Sequence, residues 1–236
     1  MNPDQFGSDS WAMLHLISLK YDNWIKTRRD PPSEILTFLS LFPRLVQCVY
    51  CRHDAQAFDK YIDLQFGTLS ILARSGLLFD RSVFLHNLVN HKINKYVMPV
   101  AEARGIWMDL FERNFKYNTF KNEEFWVYLT TVMLHFDKHG ESDKKQLYRA
   151  LMDCLPAVIK WVADTNAQVC QDMLTCKSKT TSEECVRTLL KCGEFVDFII
   201  GSNGQISNKI IEVMHRYNAH DIIETVKKRN KCNIFH

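Results

Sequence analysis

The 236-residue chain contains few glycines and few prolines, eight and six respectively. Proteins built mainly from β-strands use these residues in their many tight turns. Their scarcity argues against an all-β fold and favours a mostly helical one. The composition is otherwise ordinary for a globular protein, with 46% hydrophobic and 24% charged residues. A chain of this length can bury a substantial core, as one large domain or two small ones.

The chain also lacks a strong charge of either sign. Its formal net charge is +3, which is too small to indicate nucleic-acid binding by itself. The basic cluster Lys227-Lys228-Arg229 is typical of a solvated helix end. We therefore predict that nucleic acid is not a partner.

No segment has the character of a membrane span or a secretory signal. The longest apolar run, near Phe125–Phe136, contains Tyr128 and His135 and is too short and too polar to cross a bilayer. Residues 1–10 show no basic start followed by an apolar stretch. The sequence thus predicts no signal peptide, no membrane span and a cytoplasmic location.

Cysteine, in contrast, is abundant. Without a secretory signal, so many thiols argue against an ordinary secreted disulfide scaffold. Three explanations remain open: buried core cysteines, a metal site, or thiol redox chemistry. The eight residues are Cys48, Cys51, Cys154, Cys170, Cys176, Cys185, Cys192 and Cys232.

Apolar residues recur at helical spacing through the first hundred residues. We predict helices over 11–20, 35–46, 51–65 and 82–96, with an N-cap at Asp9 or Ser10 and a loop at 77–81. On the first helix, Trp11, Leu14 and His15 share one face. Four helices with short connections in about 100 residues indicate a compact bundle.

The second half of the chain is also predicted to be helical. The expected helices cover 103–116, 122–135, 143–163, 168–176, 182–200, 207–215 and 221–228. No motif, repeat or low-complexity segment occurs among them. The sequence therefore predicts an all-α protein with two domains, a bundle at 1–107 and a helical domain of unknown role at 108–236.

The pair Cys48-Val49-Tyr50-Cys51 is ambiguous by itself, because cysteines three apart can form a disulfide or bind a metal. Structural zinc needs a second closely spaced ligand pair, which the chain lacks, although His53 and His86 could be recruited. A thioredoxin-like fold would place the pair directly after a strand, whereas the residues before Cys48 have helical spacing. The third reading is a dithiol beside a flavin, which needs an aromatic wall and polar and cationic groups.

Two other segments supply such groups. Trp11 offers an aromatic face, and His15 a hydrogen-bonding group one turn away, although each alone could be a core residue of an amphipathic helix. A second segment adds fixed hydrogen-bonding side chains and cations for a ribose and phosphates: His86, Asn87, Asn90, Lys92 and Lys95.

The order of these segments is similar to that of the Erv/ALR family of FAD-linked sulfhydryl oxidases. The family's pattern runs from a Gly and SWxxLH through CxxC to HNxxNxKxxK. Here it begins at Gly7 and Ser10-Trp11, passes through Cys48 and Cys51, and ends at Lys95. The resemblance covers residues 5–107 and is strongest to oxidases encoded by large DNA viruses.

This resemblance implies a four-helix FAD-binding bundle, commonly a homodimer, that oxidises protein thiols. Electrons would pass through Cys48 and Cys51 to FAD and then to oxygen, giving hydrogen peroxide. It implies protein dithiol partners, such as a thioredoxin-like or viral structural protein, in the infected host cytoplasm or the virion. No metal is expected. The implied cofactor-binding residues are Gly7, Trp11, His15, His86, Asn87, Asn90, Lys92, Lys95 and Trp107.

The chain departs from the family pattern at three positions. Ser8 stands where an Arg often follows the first Gly, and Arg44 could replace that phosphate contact. Arg81 and Val83 stand where members often carry a Trp and a Cys that forms a structural disulfide. Without that bridge, we expect the bundle to be held by packing, dimerisation and FAD alone.

Two questions stay open at this point. A second cysteine pair that ferries electrons could come only from the C-terminal half, with Cys176 bonded to Cys185 and Cys170 to Cys192, but these could equally be buried free thiols. The alternative function is a non-catalytic or FAD-stabilised scaffold that keeps the same fold.

Overall fold

The computed structural model describes residues 3–46, 48–116, 123–135, 141–163, 208–216, 219 and 221–224. Every regular element in these ranges is a helix, so the predicted all-α class is confirmed. The chain divides into two compact units, Met1–Phe120 and Lys121–His236. In the first unit the helices are α1 (Pro3–Lys26), α2 (Ser33–Leu45), α3 (Val49–Phe66), α4 (Leu69–Arg74), α5 (Leu78–Lys92) and α6 (Val100–Lys116).

Helix α1 is a core helix. Every side chain from 13 to 22 is buried, including the polar His15, Ser18, Lys20 and Asp22. A helix buried on all sides must place its polar groups against partners within the protein. It packs against α4, α5 and α6.

One of those buried polar groups sets the start of α5. The carboxylate of Asp22 accepts hydrogen bonds from the backbone N–H groups of Leu78 at 3.0 Å and Phe79 at 2.9 Å. These N–H groups have no partner within the helix, so a residue distant in sequence serves as the cap. The loop predicted at 77–81 is therefore wrong, because α5 already begins at Leu78.

The other end of α5 is also earlier than expected. The helix stops at Lys92, and Asn94 adopts a left-handed conformation with φ 55°, which asparagine tolerates better than most residues. The backbone N–H of Lys95 turns back to the carbonyl oxygen of Asn90 at 2.8 Å. The helix predicted over 82–96 is thus too long by one turn.

The start of α1 also corrects the sequence expectation. Asp9 and Ser10 lie inside α1 and are not its N-cap, because the helix begins at Pro3. Proline suits the first turn, where its missing N–H needs no partner. The helices predicted over 35–46 and 51–65 are confirmed as α2 and α3, whereas the short α4 was not anticipated.

Helix α6 runs across the boundary predicted between residues 107 and 108. Ala103 and Phe111 on this helix join Leu19, Phe79 and Val83 in one buried apolar cluster, and Trp107 and Met108 pack against it. The first unit therefore continues to Phe120.

The second unit contains α7 (Glu123–His135), α8 (Glu141–Ala163) and α9 (Asn208–Arg216). These confirm the helices predicted over 122–135, 143–163 and 207–215, while those at 168–176 and 182–200 lie outside the described residues. All side chains from 125 to 134 are buried, and α7 packs against α9. None of the described helices is long and apolar enough to cross a membrane.

The Asp22 cap predicts a pH-dependent stability. Burial raises the pKa of Asp22 from 3.8 to about 6, although the two backbone hydrogen bonds and the charges of Arg104 and Lys26 act in the opposite direction. A raised pKa in the folded state contributes stability that is complete below the unfolded value and is lost as the pH rises through about 6. The Asp22→Asn variant lacks this titration. Between acidic and neutral pH the free energy of unfolding of the wild type, relative to that of the variant, should therefore fall by about 3 kcal/mol.

Urea denaturation at pH 3.5 and pH 7 measures this difference. Asp30→Asn is the matched control, because Asp30 is an exposed aspartate in the loop after α1. An equal pH dependence in Asp22→Asn and the wild type would contradict the raised pKa of the buried Asp22 carboxyl.

Candidate active site

The two cysteines predicted to be catalytic lie at the N-terminus of α3. Cys48 is the N-cap residue, and its sulfur accepts a hydrogen bond from the backbone N–H of Cys51 at 3.3 Å. Its carbonyl oxygen accepts from the N–H of Arg52 at 2.8 Å, which closes the first turn. Both cysteines are half-buried free thiols. A helix N-terminus favours negative charge, so a thiolate at Cys48 is stabilised.

The two thiols differ in acidity. Partial burial by itself would raise the pKa of Cys48, but hydrogen bonds from the Cys51 thiol and from the backbone N–H groups of Cys51 and Tyr50 lower that pKa below its ordinary value. Burial, the hydrogen bond to Cys48 and the charge of Cys48 raise the pKa of Cys51 to about 11. Cys48 therefore loses its proton first and is the nucleophile of the reduced pair.

Four of the predicted cofactor residues meet between α1, α5 and α6. The rings of Trp11 and His86 are stacked, with centroids 4.3 Å apart and planes 7° apart. His15 lies 5.3 Å from His86 and 5.1 Å from Trp107 between ring centroids. These residues form a flat-sided aromatic cluster, which we call the His86 cluster.

A chain of hydrogen bonds fixes the tautomers of both histidines. Ser82 Oγ donates to the carbonyl oxygen of Phe79 at 2.6 Å, so it must accept from His15 Nδ1 at 2.8 Å. His15 Nε2 then carries the lone pair and accepts from His86 Nδ1 at 3.1 Å. This assignment follows from the hydrogen-bond network and leaves His86 Nε2 as an acceptor.

Both rings are neutral at physiological pH. Burial is the main cause, and the neighbouring His86 the second, that lowers the pKa of His15 to about 3. Burial and the charge of Lys95 lower the pKa of His86 to about 4. The cluster therefore presents hydrogen-bonding groups without an imidazolium charge.

The predicted asparagines contact the loop that follows α5. Asn87 bonds twice to the backbone of Met98, donating from Nδ2 to its carbonyl oxygen at 2.7 Å and accepting from its N–H at 3.1 Å. Asn90 Nδ2 donates to the carbonyl oxygen of Tyr96 at 3.0 Å. Both amides thus hold the loop 93–99 against α5, a role that the sequence pattern did not indicate.

The predicted lysines lie beside the cluster and the dithiol. Lys92 Nζ forms an ion pair with Asp54 Oδ1 at 2.5 Å, which joins the end of α5 to α3. Asp54 lies one turn after Cys51, and its charge is one of the factors that raise the Cys51 pKa. Lys95 is close enough to His86 for its charge to lower that pKa. The dithiol and the segment 86–95 are therefore neighbours.

The remaining predicted residues contribute less to this geometry. Gly7 lies in α1, one turn before Trp11, and Arg44 lies in the last turn of α2. Within the described residues, no group of three or more His, Cys, Asp or Glu side chains could hold a metal ion. The proposed shuttle cysteines at 170, 176, 185 and 192, together with Cys232, lie outside the described residues.

Arg81 is the residue whose role the sequence missed. Its side chain is only 7% exposed, and Nη2 bonds to Asp59 at 2.6 Å and to Asp63 at 2.8 Å. These aspartates lie one turn apart on α3 and therefore share a face of that helix. This spacing of two carboxylates was the feature of the sequence that could have indicated a cation, Arg81, on the facing helix. The expectation that packing, dimerisation and FAD alone hold the bundle is therefore wrong, because ion pairs also join α3 to α5.

The fold and site define a helical bundle in which the helix that begins at a dithiol packs against the helix that carries His86. Residues 8–108 match the model described as the Erv1 / Alr family. The match covers less than half of the chain and confirms the resemblance seen in the sequence. The match includes every predicted site residue except Gly7.

One curated relative supports the same assignment. Over 113 residues, 45% of this chain and 96% of the relative, the sequence is 26% identical to the "Putative FAD-linked sulfhydryl oxidase 347L" of Invertebrate iridescent virus 6. No solved structure matches the chain.

Loss of Arg81 should destabilise the first unit. The Arg81→Met variant leaves two aspartates facing each other on α3 without a cation. Removing one partner of a buried ion pair costs about 3–5 kcal/mol, and the partial exposure of both aspartates brings the expected loss to about 2–3 kcal/mol. Urea denaturation followed by circular dichroism measures it.

Arg74→Met is the control, because Arg74 is an exposed arginine on the neighbouring α4. Adding Asp59→Asn and Asp63→Asn to Arg81→Met should recover part of the loss by removing the uncompensated charges. A wild-type midpoint for Arg81→Met would contradict the proposed clamp.

Proposed function

We propose that this protein is an FAD-dependent sulfhydryl oxidase that forms disulfides in protein dithiols. The observation that carries the proposal is a dithiol at the N-terminus of α3 whose two thiols have unequal pKa values, on a helix that an ion pair joins to the helix carrying His86. Structural cysteines need no such asymmetry, whereas disulfide exchange uses a reactive thiolate. The family match and the name of the viral relative support the same activity.

The residues of the cluster fit the chemistry of FAD. Trp11 and Trp107 supply flat apolar faces, and neutral His86 offers Nε2 as an acceptor for an amino group. Lys92 and Lys95 supply positive charge for the phosphates, and Gly7, His15, Asn87 and Asn90 complete the proposed site. FAD bound there would accept an electron pair from the dithiol and pass it to oxygen, which is reduced to hydrogen peroxide.

The cysteines divide the exchange steps between them. A substrate thiolate attacks the Cys48 sulfur of the oxidised pair, forms a mixed disulfide and releases Cys51. A second substrate thiolate then attacks the substrate sulfur of that mixed disulfide and releases Cys48. A thiol of low pKa is the better leaving group, so the lowered pKa of Cys48 favours this second step. The substrate departs as a disulfide, and its two electrons remain on Cys48 and Cys51.

Arg52 supports the thiolate of Cys48. Its Nε donates to the carbonyl oxygen of Val46 at 2.7 Å, which holds the side chain beside the start of α3. Burial lowers the pKa of Arg52, while the charge of Cys48 raises it, so the two side chains interact electrostatically. The proposal also includes a homodimer and protein dithiols as substrates.

Replacing Cys51 tests the electron path directly. The Cys51→Ser variant should still bind FAD and be yellow, but oxygen consumption with dithiothreitol should fall to background because no disulfide can form with Cys48. Cys154→Ala should keep full activity, since Cys154 is buried in α8 of the second unit. Oxidase activity retained by Cys51→Ser would refute the assignment.

The scaffold alternative makes a different prediction for the wild type. An oxidase should lose its yellow colour under anaerobic dithiothreitol and regain it in air, because electrons reach the bound cofactor from the dithiol. A scaffold that binds FAD without a redox connection would keep its colour. Absorbance near the flavin band distinguishes the two.

Removal of FAD should lower the melting temperature. A ligand that binds only the folded state at about 1,000 times its dissociation constant adds about 4 kcal/mol of stability. For a protein of this size, this corresponds to roughly 10 °C. Differential scanning calorimetry of apoprotein and reconstituted protein measures the shift, which should shrink in Trp11→Ala. Identical curves with and without FAD would contradict the proposal.

A further inference from the structure

An aromatic side chain stands in solvent between the two cysteines. Tyr50 is 85% exposed, although it lies in the first turn of α3. It lies in the turn that Cys48 caps, where the next residue, Cys51, donates its backbone N–H to the Cys48 sulfur at 3.3 Å. A large ring is thus held at the surface within one turn of the nucleophile.

Two further exposed residues extend the face of α3 that carries Tyr50. His53 and Ala57 are also exposed, and they follow Tyr50 at helical spacings of three and seven residues. An exposed helix face usually carries charged side chains. This one instead offers an aromatic ring, an imidazole and a methyl group.

The charged residue next to Tyr50 on this face already has a partner within the protein. Asp54, four residues after Tyr50, is paired with Lys92, and the exposed Lys60 lies more than two turns further along the helix. A charged group brought against the Tyr50 ring itself would therefore lose hydration without gaining an ion-pair partner there. An apolar group would lose nothing and would cover the Tyr50 ring.

We propose that Tyr50, with His53 and Ala57 behind it, contacts the protein substrate around its reacting thiol. The enzyme then prefers thiols flanked by apolar or aromatic residues to thiols flanked by charged ones. This inference rests on the proposed function and names its substrate class.

The geometry of exchange requires such a contact. A disulfide brings the Cα atoms of its two cysteines to about 4.4–6.8 Å, so residues beside the substrate cysteine lie against the surroundings of Cys48. A second copy of this chain on the same face would cover Cys48 and block the thiols it must receive. A protein substrate is therefore the occupant that fits.

Recognition can be measured without FAD or oxygen in a Cys51→Ser background. Two peptides of equal length carry one cysteine as a mixed disulfide with thionitrobenzoate, flanked on both sides by leucines or by alternating aspartate and lysine. The Cys48 thiolate attacks the peptide sulfur, a Cys48–peptide disulfide forms, and thionitrobenzoate leaves as a coloured thiolate. The doubly substituted Cys48→Ser/Cys51→Ser protein measures the reaction of the other cysteines.

The leucine-flanked peptide should react about tenfold faster than the charged one, which corresponds to about 1.4 kcal/mol. Adding Tyr50→Ala should remove most of this preference, and Tyr50→Phe should retain it. The rate with methyl methanethiosulfonate, which has no flanking residues, should stay unchanged in both. Leu64→Ala is the matched control, because Leu64 is 83% exposed on the same helix, about 21 Å further along at 1.5 Å per residue.

Three outcomes would overturn the inference. The two peptides could react at equal rates, Tyr50→Ala could lower the rate with every reagent by the same factor, or Leu64→Ala could reduce the preference for the leucine-flanked peptide as much as Tyr50→Ala does. The first removes the preference, the second makes Tyr50 a modifier of Cys48 reactivity, and the third indicates an interface between copies. Oxygen consumption separates this test from the oxidase proposal. Lost preference with intact oxidase activity overturns the inference alone, whereas intact preference without oxidase activity overturns the oxidase proposal.

Discussion

Ion pairs between α3 and α5 determine where the dithiol lies relative to the His86 cluster. Near the start of α3, Asp54 is paired with Lys92 of α5, and further along, Asp59 and Asp63, one turn apart, are both paired with Arg81 of α5. Apolar packing alone tolerates small shifts along a helix, whereas a buried arginine between two carboxylates fixes the register. The helix that carries the cysteines is therefore tied at two levels to the helix that carries His86.

A second chain of contacts orients the cluster itself. The Asp22 carboxylate accepts hydrogen bonds from the first turn of α5. In that turn the Phe79 carbonyl oxygen accepts a hydrogen bond from the Ser82 hydroxyl, and the Ser82 oxygen accepts one from His15. The orientation of both imidazoles is thus anchored to the backbone through buried hydrogen bonds. Because the rings are neutral, this side of the site offers hydrogen-bond acceptors, while the N-terminus of α3 accommodates negative charge at Cys48. The two halves of the site have different electrostatic character.

The sequence predicted the parts of this site that depend on local spacing. The all-α class, most of the long helices and the shared face of Trp11 and His15 follow from helical periodicity, and the order of the motifs indicated the family resemblance. Roles that depend on distant partners were not predictable in the same way. The start of α5 depends on Asp22, 56 residues earlier, and the role of Arg81 depends on two aspartates of another helix. Asn87 bonds to a backbone segment whose position only the folded chain defines.

Lys92 is paired with Asp54 and is also proposed to bind a phosphate of the cofactor. Asp54 opposes ionisation of Cys51, the sulfur that must become a thiolate when a substrate attacks Cys48. An ammonium group beside Asp54 offsets that repulsion. Lys92 is 52% exposed and has three donors, so it can keep Asp54 and still reach a phosphate oxygen. One cation would then serve both the dithiol helix and the bound dinucleotide, because each needs positive charge at the same end of α5.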